Sequence, residues 1–264
     1  MPWEGTEIYV AKVTVTPDEE KVEFVEEKLA GGVRGRVCAA YPFWISNETV
    51  ISTNNISGYR NPWSYSTLTD KSVPILRTPV DMAFSLPAWF LGESYGAALD
   101  EKGEEVVYSV MQNGRAVLYR VNVSSGEMTK IESPYVEISS VHRIPRVGVI
   151  FIGGQSDNPP EIVTLSLGSL NTQSFKTIKS LSSPTASLFG SGIISVARPI
   201  DISGPPNRGP VHVNFYPPTN PKYSGGGGGE KPPCVFNVHG GPTMTSNRTL
   251  DWSIQYFTSR GWAW

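Results

Sequence analysis

Short apolar runs alternate with clusters of turn residues through the first three quarters of the chain. The runs lie at residues 6–13, 22–26, 105–110, 116–121, 147–152 and 161–165. Each is rich in valine, isoleucine, tyrosine or phenylalanine, a composition and length typical of β-strands. The pattern therefore predicts strand, turn and strand in repetition, without a long amphipathic helix.

The strongest turn signal is Asn113-Gly114, which separates two of these runs. A tight hairpin needs positive φ at its central residues, and Asn-Gly tolerates this conformation. Strand-turn-strand units recur with a period of roughly 40–50 residues, which is the period of propeller blades. A sandwich or a barrel also fits short, evenly spaced strands. The period favours about three or four blades, and hence a partial β-propeller over residues 1–195.

The pattern changes in the last quarter of the chain. Residues 211–216 alternate as a strand, and the glycine run 225–229 predicts a flexible surface loop. Residues 233–238 form a nearly continuous apolar run, which predicts a strand buried on both faces of a parallel sheet. The aromatic spacing predicts a helix at residues 251–257, and Gly261 predicts its end. A strand, a glycine loop, a helix and another strand form the start of an α/β unit.

Several short motifs in this last part occur together. They are Tyr216-Pro217-Pro218-Thr219-Asn220-Pro221, Lys231-Pro232-Pro233, His239-Gly240-Gly241-Pro242-Thr243 and Gln255-Tyr256-Phe257-Thr258-Ser259-Arg260-Gly261. As a set they resemble the start of the catalytic domain in the prolyl oligopeptidase family, and most closely its dipeptidyl aminopeptidase and acylaminoacyl-peptidase branch. Upstream, residues 56–59 and 61–63 resemble a propeller segment of the same branch.

The resemblance implies a mainly β fold. A partial β-propeller over residues 1–195 would precede the first strands and helix of an α/β-hydrolase domain over residues 196–264. In such hydrolases, backbone N–H groups of the loop after an early strand help to stabilise the oxyanion. The resemblance places Gly240 and Gly241 in this oxyanion loop, with His239 and Pro242 as the residues that shape it. A tight strand-to-helix turn without chemistry is the alternative for the same glycines.

The catalytic triad of a serine hydrolase is expected to be missing. The fold places nucleophile, acid and base in that order after the oxyanion loop. We expect no G-x-S-x-G elbow in the chain, and no histidine follows His239. We therefore expect a truncated, inactive fragment of a cytosolic serine peptidase that hydrolyses short peptides by acyl transfer. The alternative is a non-catalytic propeller-type module that binds a peptide or protein partner.

Composition and charge exclude several other classes. The net charge of −2 provides no basic field for nucleic acid, and no apolar stretch reaches the roughly 18 residues of a membrane span. Cys38 and Cys234 match neither a disulfide framework nor a metal-ligand spacing, so we expect no metal and no cofactor. Without a secretory signal the expected location is the cytoplasm. The expected partner of the complete enzyme is a peptide substrate, and the oligomeric state stays open.

Overall fold

The computed structural model describes residues 5–16, 21–34, 36–88, 92–167, 173–181, 191–206, 209–241 and 245–264. Within these ranges lie sixteen β-strands, a 3-10 turn at Ser191–Ile193 and one α-helix, α1 (Trp252–Thr258). The strands are β1 (Ile8–Thr16), β2 (Lys21–Gly31), β3 (Ala39–Trp44), β4 (Thr49–Asn54), β5 (Asn61–Ser66), β6 (Lys71–Pro74), β7 (Gly96–Ala98), β8 (Glu105–Gln112), β9 (Arg115–Asn122), β10 (Met128–Ile131), β11 (Glu137–Ile144), β12 (Gly148–Gly154), β13 (Glu161–Leu167), β14 (Gln173–Ser180), β15 (Arg198–Ile202) and β16 (Val211–Phe215). The predicted mainly β fold is confirmed.

The chain forms two compact units. Unit 1 comprises Met1–Ser133, Ile138–Phe151 and Thr164–Lys176, and unit 2 comprises Pro134–Glu137, Ile152–Val163 and Thr177–Trp264. The predicted domain boundary between residues 195 and 196 stays a prediction.

Antiparallel sheets of four strands recur along the chain. Their orders are β3-β4-β5-β6, β7-β8-β9-β10 and β11-β12-β13-β14, so neighbouring strands are consecutive in the sequence. Strands β1 and β2 form a separate two-stranded ribbon. Four-stranded sheets of this kind are the blades of β-propellers, and the predicted partial β-propeller is confirmed.

The core of unit 1 joins the sheet β3–β6 to the sheet β7–β10. The ring of Phe84 meets the ring of Tyr108 edge-on, with 5.3 Å between their centroids. The exposed fractions of these residues are 0% and 1%. Ile51 and Val121, from β4 and β9, belong to the same cluster of buried residues. The burial of these large apolar side chains stabilises the packing of the two sheets.

The turn between β8 and β9 has the predicted geometry. Gln112 pairs with Arg115 at the end of the hairpin, which leaves Asn113 and Gly114 as the two central residues. Their φ angles are 50° and 68°, and positive φ at both positions defines a type I′ turn. The twist of this turn matches the twist of the flanking strands, so the Asn-Gly pair fixes the register of the hairpin.

Unit 2 contains a small mixed arrangement of strands. β15 pairs with β16 in antiparallel orientation, and the Tyr216 and Trp264 backbones exchange two hydrogen bonds, of 2.8 and 3.0 Å. Next to Trp264, Ala263 forms a parallel bridge with Cys234. The last residues of the chain therefore lie between the continuation of β16 and the segment around Cys234. Parallel strands need a crossover connection, and α1 lies in this one.

Helix α1 begins and ends with local capping interactions. The Asp251 side chain accepts a hydrogen bond of 2.7 Å from the Ser253 N–H, which is typical of an N-cap residue. At the other end, Gly261 has φ of 90°, and the N–H groups of Gly261 and Trp262 donate to the carbonyls of Thr258 and Phe257. This pair of bonds is the Schellman motif. The predicted helix and its predicted end at Gly261 are confirmed.

Gln255 connects α1 to the segment around Ser195 through two hydrogen bonds. Its Oε1 accepts a hydrogen bond of 2.7 Å from the Ser195 N–H, and its Nε2 donates one of 3.1 Å to the Ser195 carbonyl. Both residues are buried. Replacing Gln255 by alanine is therefore expected to lower the free energy of unfolding by about 2–3 kcal/mol, because two buried backbone groups lose their partners.

Urea denaturation followed by tryptophan fluorescence measures this loss. Ser253→Ala, at an exposed position of the same helix, is the control and should change stability by less than about 0.5 kcal/mol. Equal stability of the Gln255 and Ser253 variants would contradict the structural role of Gln255.

The apolar run at residues 233–238 differs from its prediction. Its strand character is limited to the bridge at Cys234, and Phe236 and Val238 are 86% and 87% exposed. The prediction of a strand buried on both faces is therefore wrong for the described chain. An apolar run indicates a preference for burial, but burial also requires neighbouring elements, and the described residues pack none against these two side chains.

Candidate active-site loop

The candidate loop follows the segment that pairs in parallel with the end of the chain. His239, Gly240 and Gly241 come shortly after the Cys234 bridge and before α1. In α/β folds, ligands bind beyond the carboxyl ends of parallel strands, and this loop leaves such an end. Pro242, which the resemblance makes a loop-shaping residue, lies outside the described residues.

The loop exposes its backbone. His239, Gly240 and Gly241 are all exposed, and the Nδ1 atom of His239 lies 3.4 Å from the Gly240 carbonyl oxygen. Gly241 has φ of 70°, a conformation that glycine adopts without strain. Within residues 209–241 and the other described ranges, the N–H groups of Gly240 and Gly241 have no hydrogen-bond acceptor.

The two glycines tolerate a side chain differently. A Cβ atom on Gly240 would meet no other atom within 4 Å, whereas any larger residue at Gly241 would have to adopt the left-handed conformation. The conformation of the loop therefore depends more on Gly241 than on Gly240. The roles of Gly240 and Gly241 as oxyanion donors, and of His239 and Pro242 in shaping the loop, stay predictions.

The segment after the loop is anchored by contacts that the sequence pattern did not predict. The Asn247 amide donates a hydrogen bond of 2.8 Å to the Glu137 carboxylate. The Leu250 N–H donates one of 2.9 Å to the Gln155 carbonyl. Close packing adds to this, because a Cβ atom on Gly154 would lie 2.5 Å from the Thr249 side chain. These partners are remote in the sequence, so no local motif could have indicated them.

A G-x-S-x-G pentapeptide occurs upstream, at Gly92-Glu93-Ser94-Tyr95-Gly96. The expectation that the chain contains no such pentapeptide is therefore wrong, and the structural context of Ser94 decides its role. The Ser94 hydroxyl bonds to the carbonyls of Val141 and Gly96, at 2.7 and 3.2 Å. The motif leads into strand β7 and not into a helix. A nucleophile elbow needs a strand-to-helix turn, so Ser94 is a structural serine.

The described residues contain no group of three or more histidine, cysteine, aspartate or glutamate side chains that could hold a metal ion. No helix among them is long and apolar enough to span a membrane.

Comparison with solved structures gives extensive matches, although no family model and no curated protein matches the chain. A puromycin-hydrolyzing peptidase of Mycobacterium tuberculosis superposes with a TM-score of 0.80 and 26% identity, over 100% of this chain and 38% of that chain. A puromycin hydrolase matches with a TM-score of 0.81 and 24% identity, over 100% and 37%. An acylaminoacyl peptidase in complex with Z-Gly-Gly-Phe-chloromethyl ketone matches with a TM-score of 0.58 and 14% identity, over 99% and 38%.

These matches confirm the resemblance to peptidases of the prolyl oligopeptidase type. The chain spans less than two fifths of the length of these solved structures. It corresponds in fold to a part of each of them, and the puromycin hydrolase and acylaminoacyl peptidase likenesses concern the fold alone.

Proposed function

We propose that the chain is the propeller and the first α/β segment of a cytosolic serine peptidase of the prolyl oligopeptidase family. The complete enzyme would hydrolyse short peptides by acyl transfer, and its propeller would limit access to the site. The observation that supports this most directly is the exposed glycine loop with free N–H groups, in a fold that a puromycin-hydrolyzing peptidase shares over this whole chain.

The loop would stabilise charge during acyl transfer. When a serine oxygen attacks the peptide carbonyl, the carbonyl oxygen becomes an oxyanion, and the leaving amine later takes a proton from the catalytic histidine. Gly240 and Gly241 would supply one of the two backbone donors to that oxyanion. The other comes from the residue after the nucleophile. Nucleophile, acid and base would be supplied by polypeptide outside this sequence.

Exposed apolar side chains on α1 and after the Cys234 bridge support the proposal that further chain completes this unit. Phe236 and Val238 are almost fully exposed, and Trp252 and Tyr256 are 39% and 55% exposed. Large exposed apolar side chains favour burial against other protein segments. A complete hydrolase sheet would cover them.

A fluorophosphonate probe tests the proposal, because it labels activated serines. The 264-residue chain is expected to remain unlabelled. A polypeptide expressed from the same reading frame together with its downstream coding sequence is expected to be labelled at one serine. Ser94→Ala is the control variant in both proteins, because Ser94 lies in the upstream motif and should not react.

Two results would contradict the proposal. The first is specific labelling of the chain alone, particularly if Ser94→Ala abolishes it. The second is a downstream sequence without a serine that the probe labels, which would favour the non-catalytic binding module instead.

A further inference from the structure

Arg60 is a half-buried cation whose hydrogen-bonding capacity is incompletely satisfied. Its Nη2 atom donates a hydrogen bond of 3.4 Å to the Cys38 sulfur. Its Nε atom is buried and has no hydrogen-bond partner. No carboxylate among the described residues forms an ion pair with the guanidinium. Guanidinium groups removed from water normally pair with an anion, so this arrangement leaves binding capacity unused.

The Cys38 sulfur satisfies the guanidinium poorly. Cys38 is fully buried, and the Thr6 hydroxyl lies 3.1 Å from the same sulfur. Burial raises the pKa of the Cys38 thiol, but hydrogen bonds from Thr6 and Arg60 outweigh burial, and the pKa is lowered overall. Sulfur is a weak acceptor, whereas a carboxylate accepts two parallel N–H bonds from arginine.

Two tyrosines experience the charge of Arg60. The rings of Tyr41 and Tyr95 meet edge-on, with 4.9 Å between centroids, and the Tyr41 hydroxyl donates a hydrogen bond of 3.0 Å to the Pro87 carbonyl. Burial raises the pKa of both hydroxyls, while the nearby Arg60 charge opposes this rise. Arg60 therefore lies within electrostatic reach of both.

The backbone of Tyr41 is strained. Its φ is 56°, a left-handed conformation that is rare for aromatic residues. Strained residues of this kind cluster at ligand-binding and active sites. In this conformation the Tyr41 ring contacts Tyr95 and lies within electrostatic reach of Arg60.

We propose that Arg60 is the anchor of a binding site for a carboxylate group, with Tyr41 and Tyr95 as its wall. All three side chains are partly exposed, so a ligand can reach them. The site is independent of the proposed peptidase activity, because it lies in unit 1 and needs no nucleophile. A peptide can supply such a carboxylate from its C-terminus or from an acidic side chain.

Glu93 restricts the charge of the ligand. Its negative charge raises the pKa of both tyrosine hydroxyls, so it acts on the same small region as Arg60. A singly charged carboxylate experiences less repulsion from Glu93 than a phosphate dianion does. The site should therefore prefer a carboxylate to inorganic phosphate.

Nuclear magnetic resonance of the arginine Nε–H groups in the full 264-residue chain tests this site directly. Arg60→Lys identifies the Arg60 signal by its disappearance. N-acetylglycylglycine and N-acetylaspartate amide carry a terminal and a side-chain carboxylate, and N-acetylglycylglycine amide carries none. We expect a saturable shift of the Arg60 signal with at least one of the two carboxylates, and no shift with the uncharged amide. The carboxylate that causes the shift shows whether the site binds a terminal or a side-chain carboxylate. Absence of saturation, an equal response to the amide, or tighter binding of inorganic phosphate would overturn the proposal.

Three variants separate a binding role from a structural one. Arg60→Gln, followed through the neighbouring backbone amides, should weaken carboxylate binding about tenfold or more, since a charge-assisted bond is lost. Glu93→Gln should strengthen binding roughly two- to fivefold, because a repelling charge is removed. Arg77→Gln, at an exposed position in unit 1, is the matched control and should leave binding unchanged.

The opposite direction for Glu93→Gln, or equal weakening by Arg77→Gln, contradicts the proposal. If Arg60→Gln fails to fold, Glu93→Gln and the comparison of carboxylate with amide still decide the question. A negative result leaves the proposed peptidase function untouched, because that function is tested by serine labelling.

Discussion

Replacing Gly241 by valine is expected to lower kcat by about 10²–10³-fold. This applies to the longer polypeptide that includes the downstream coding sequence and a serine that the fluorophosphonate probe labels. The expected size is that of losing one oxyanion donor, about 3–4 kcal/mol of transition-state stabilisation. The physical reason is the φ of 70° at Gly241, which a β-branched residue adopts only with strain. The loop would relax to another conformation, and its N–H groups would no longer point at the oxyanion.

Steady-state kinetics with a chromogenic peptide measures this effect. Gly227→Ala is the matched control, because a Cβ atom on Gly227 meets no other atom within 4 Å and the residue lies in the exposed glycine run. It should leave kcat unchanged. A Gly241→Val variant that raises KM but keeps kcat would show that the loop binds substrate without stabilising the transition state.

Replacing Phe84 by alanine is expected to lower the free energy of unfolding of unit 1 by about 3–5 kcal/mol. This is the usual loss when a fully buried phenylalanine is truncated. Phe84 has no exposed surface and meets Tyr108 edge-on, at the centre of the core that joins two blades. Chemical denaturation followed by circular dichroism of the β-sheet signal measures the change.

Tyr108→Phe is a sharp control for the same core. The Tyr108 hydroxyl is buried without a hydrogen-bond partner, and an unsatisfied buried polar group costs about 1–3 kcal/mol. Removing the hydroxyl while keeping the ring should therefore maintain or raise stability. A loss of more than about 1 kcal/mol would show that the hydroxyl has a partner after all, such as a buried water molecule.

Features that depend on local chemistry could be predicted from the sequence. The Asn113-Gly114 hairpin depends on two residues that tolerate positive φ, and helix α1 depends on the Asp251 cap and on Gly261. In each case the residues whose chemistry favours the turn or the helix end are the residues that form it. The strands of the blades were predictable for the same reason, because their apolar patterns extend over single segments.

Features that depend on distant partners could not be predicted. The exposure of Phe236 depends on which strands lie beside it, and the anchoring of Asn247 depends on Glu137 in strand β11. The pentapeptide around Ser94 shows the same limit, because only its structural context distinguishes a nucleophile elbow from the start of a strand. The proximity of Arg60, just before β5, to Tyr41 in β3 and to Tyr95, just before β7, likewise depends on how distant segments pack.

The position of the last three residues has a consequence for how the protein folds. Within each blade, neighbouring strands are consecutive, so their contacts close short loops and form early. The Trp264 backbone instead bonds to Tyr216 across the glycine run, the candidate loop and α1. A contact between such distant segments forms slowly. The blades should therefore fold before the segment that contains the candidate loop. The candidate loop should then reach its final conformation after the blades are ordered.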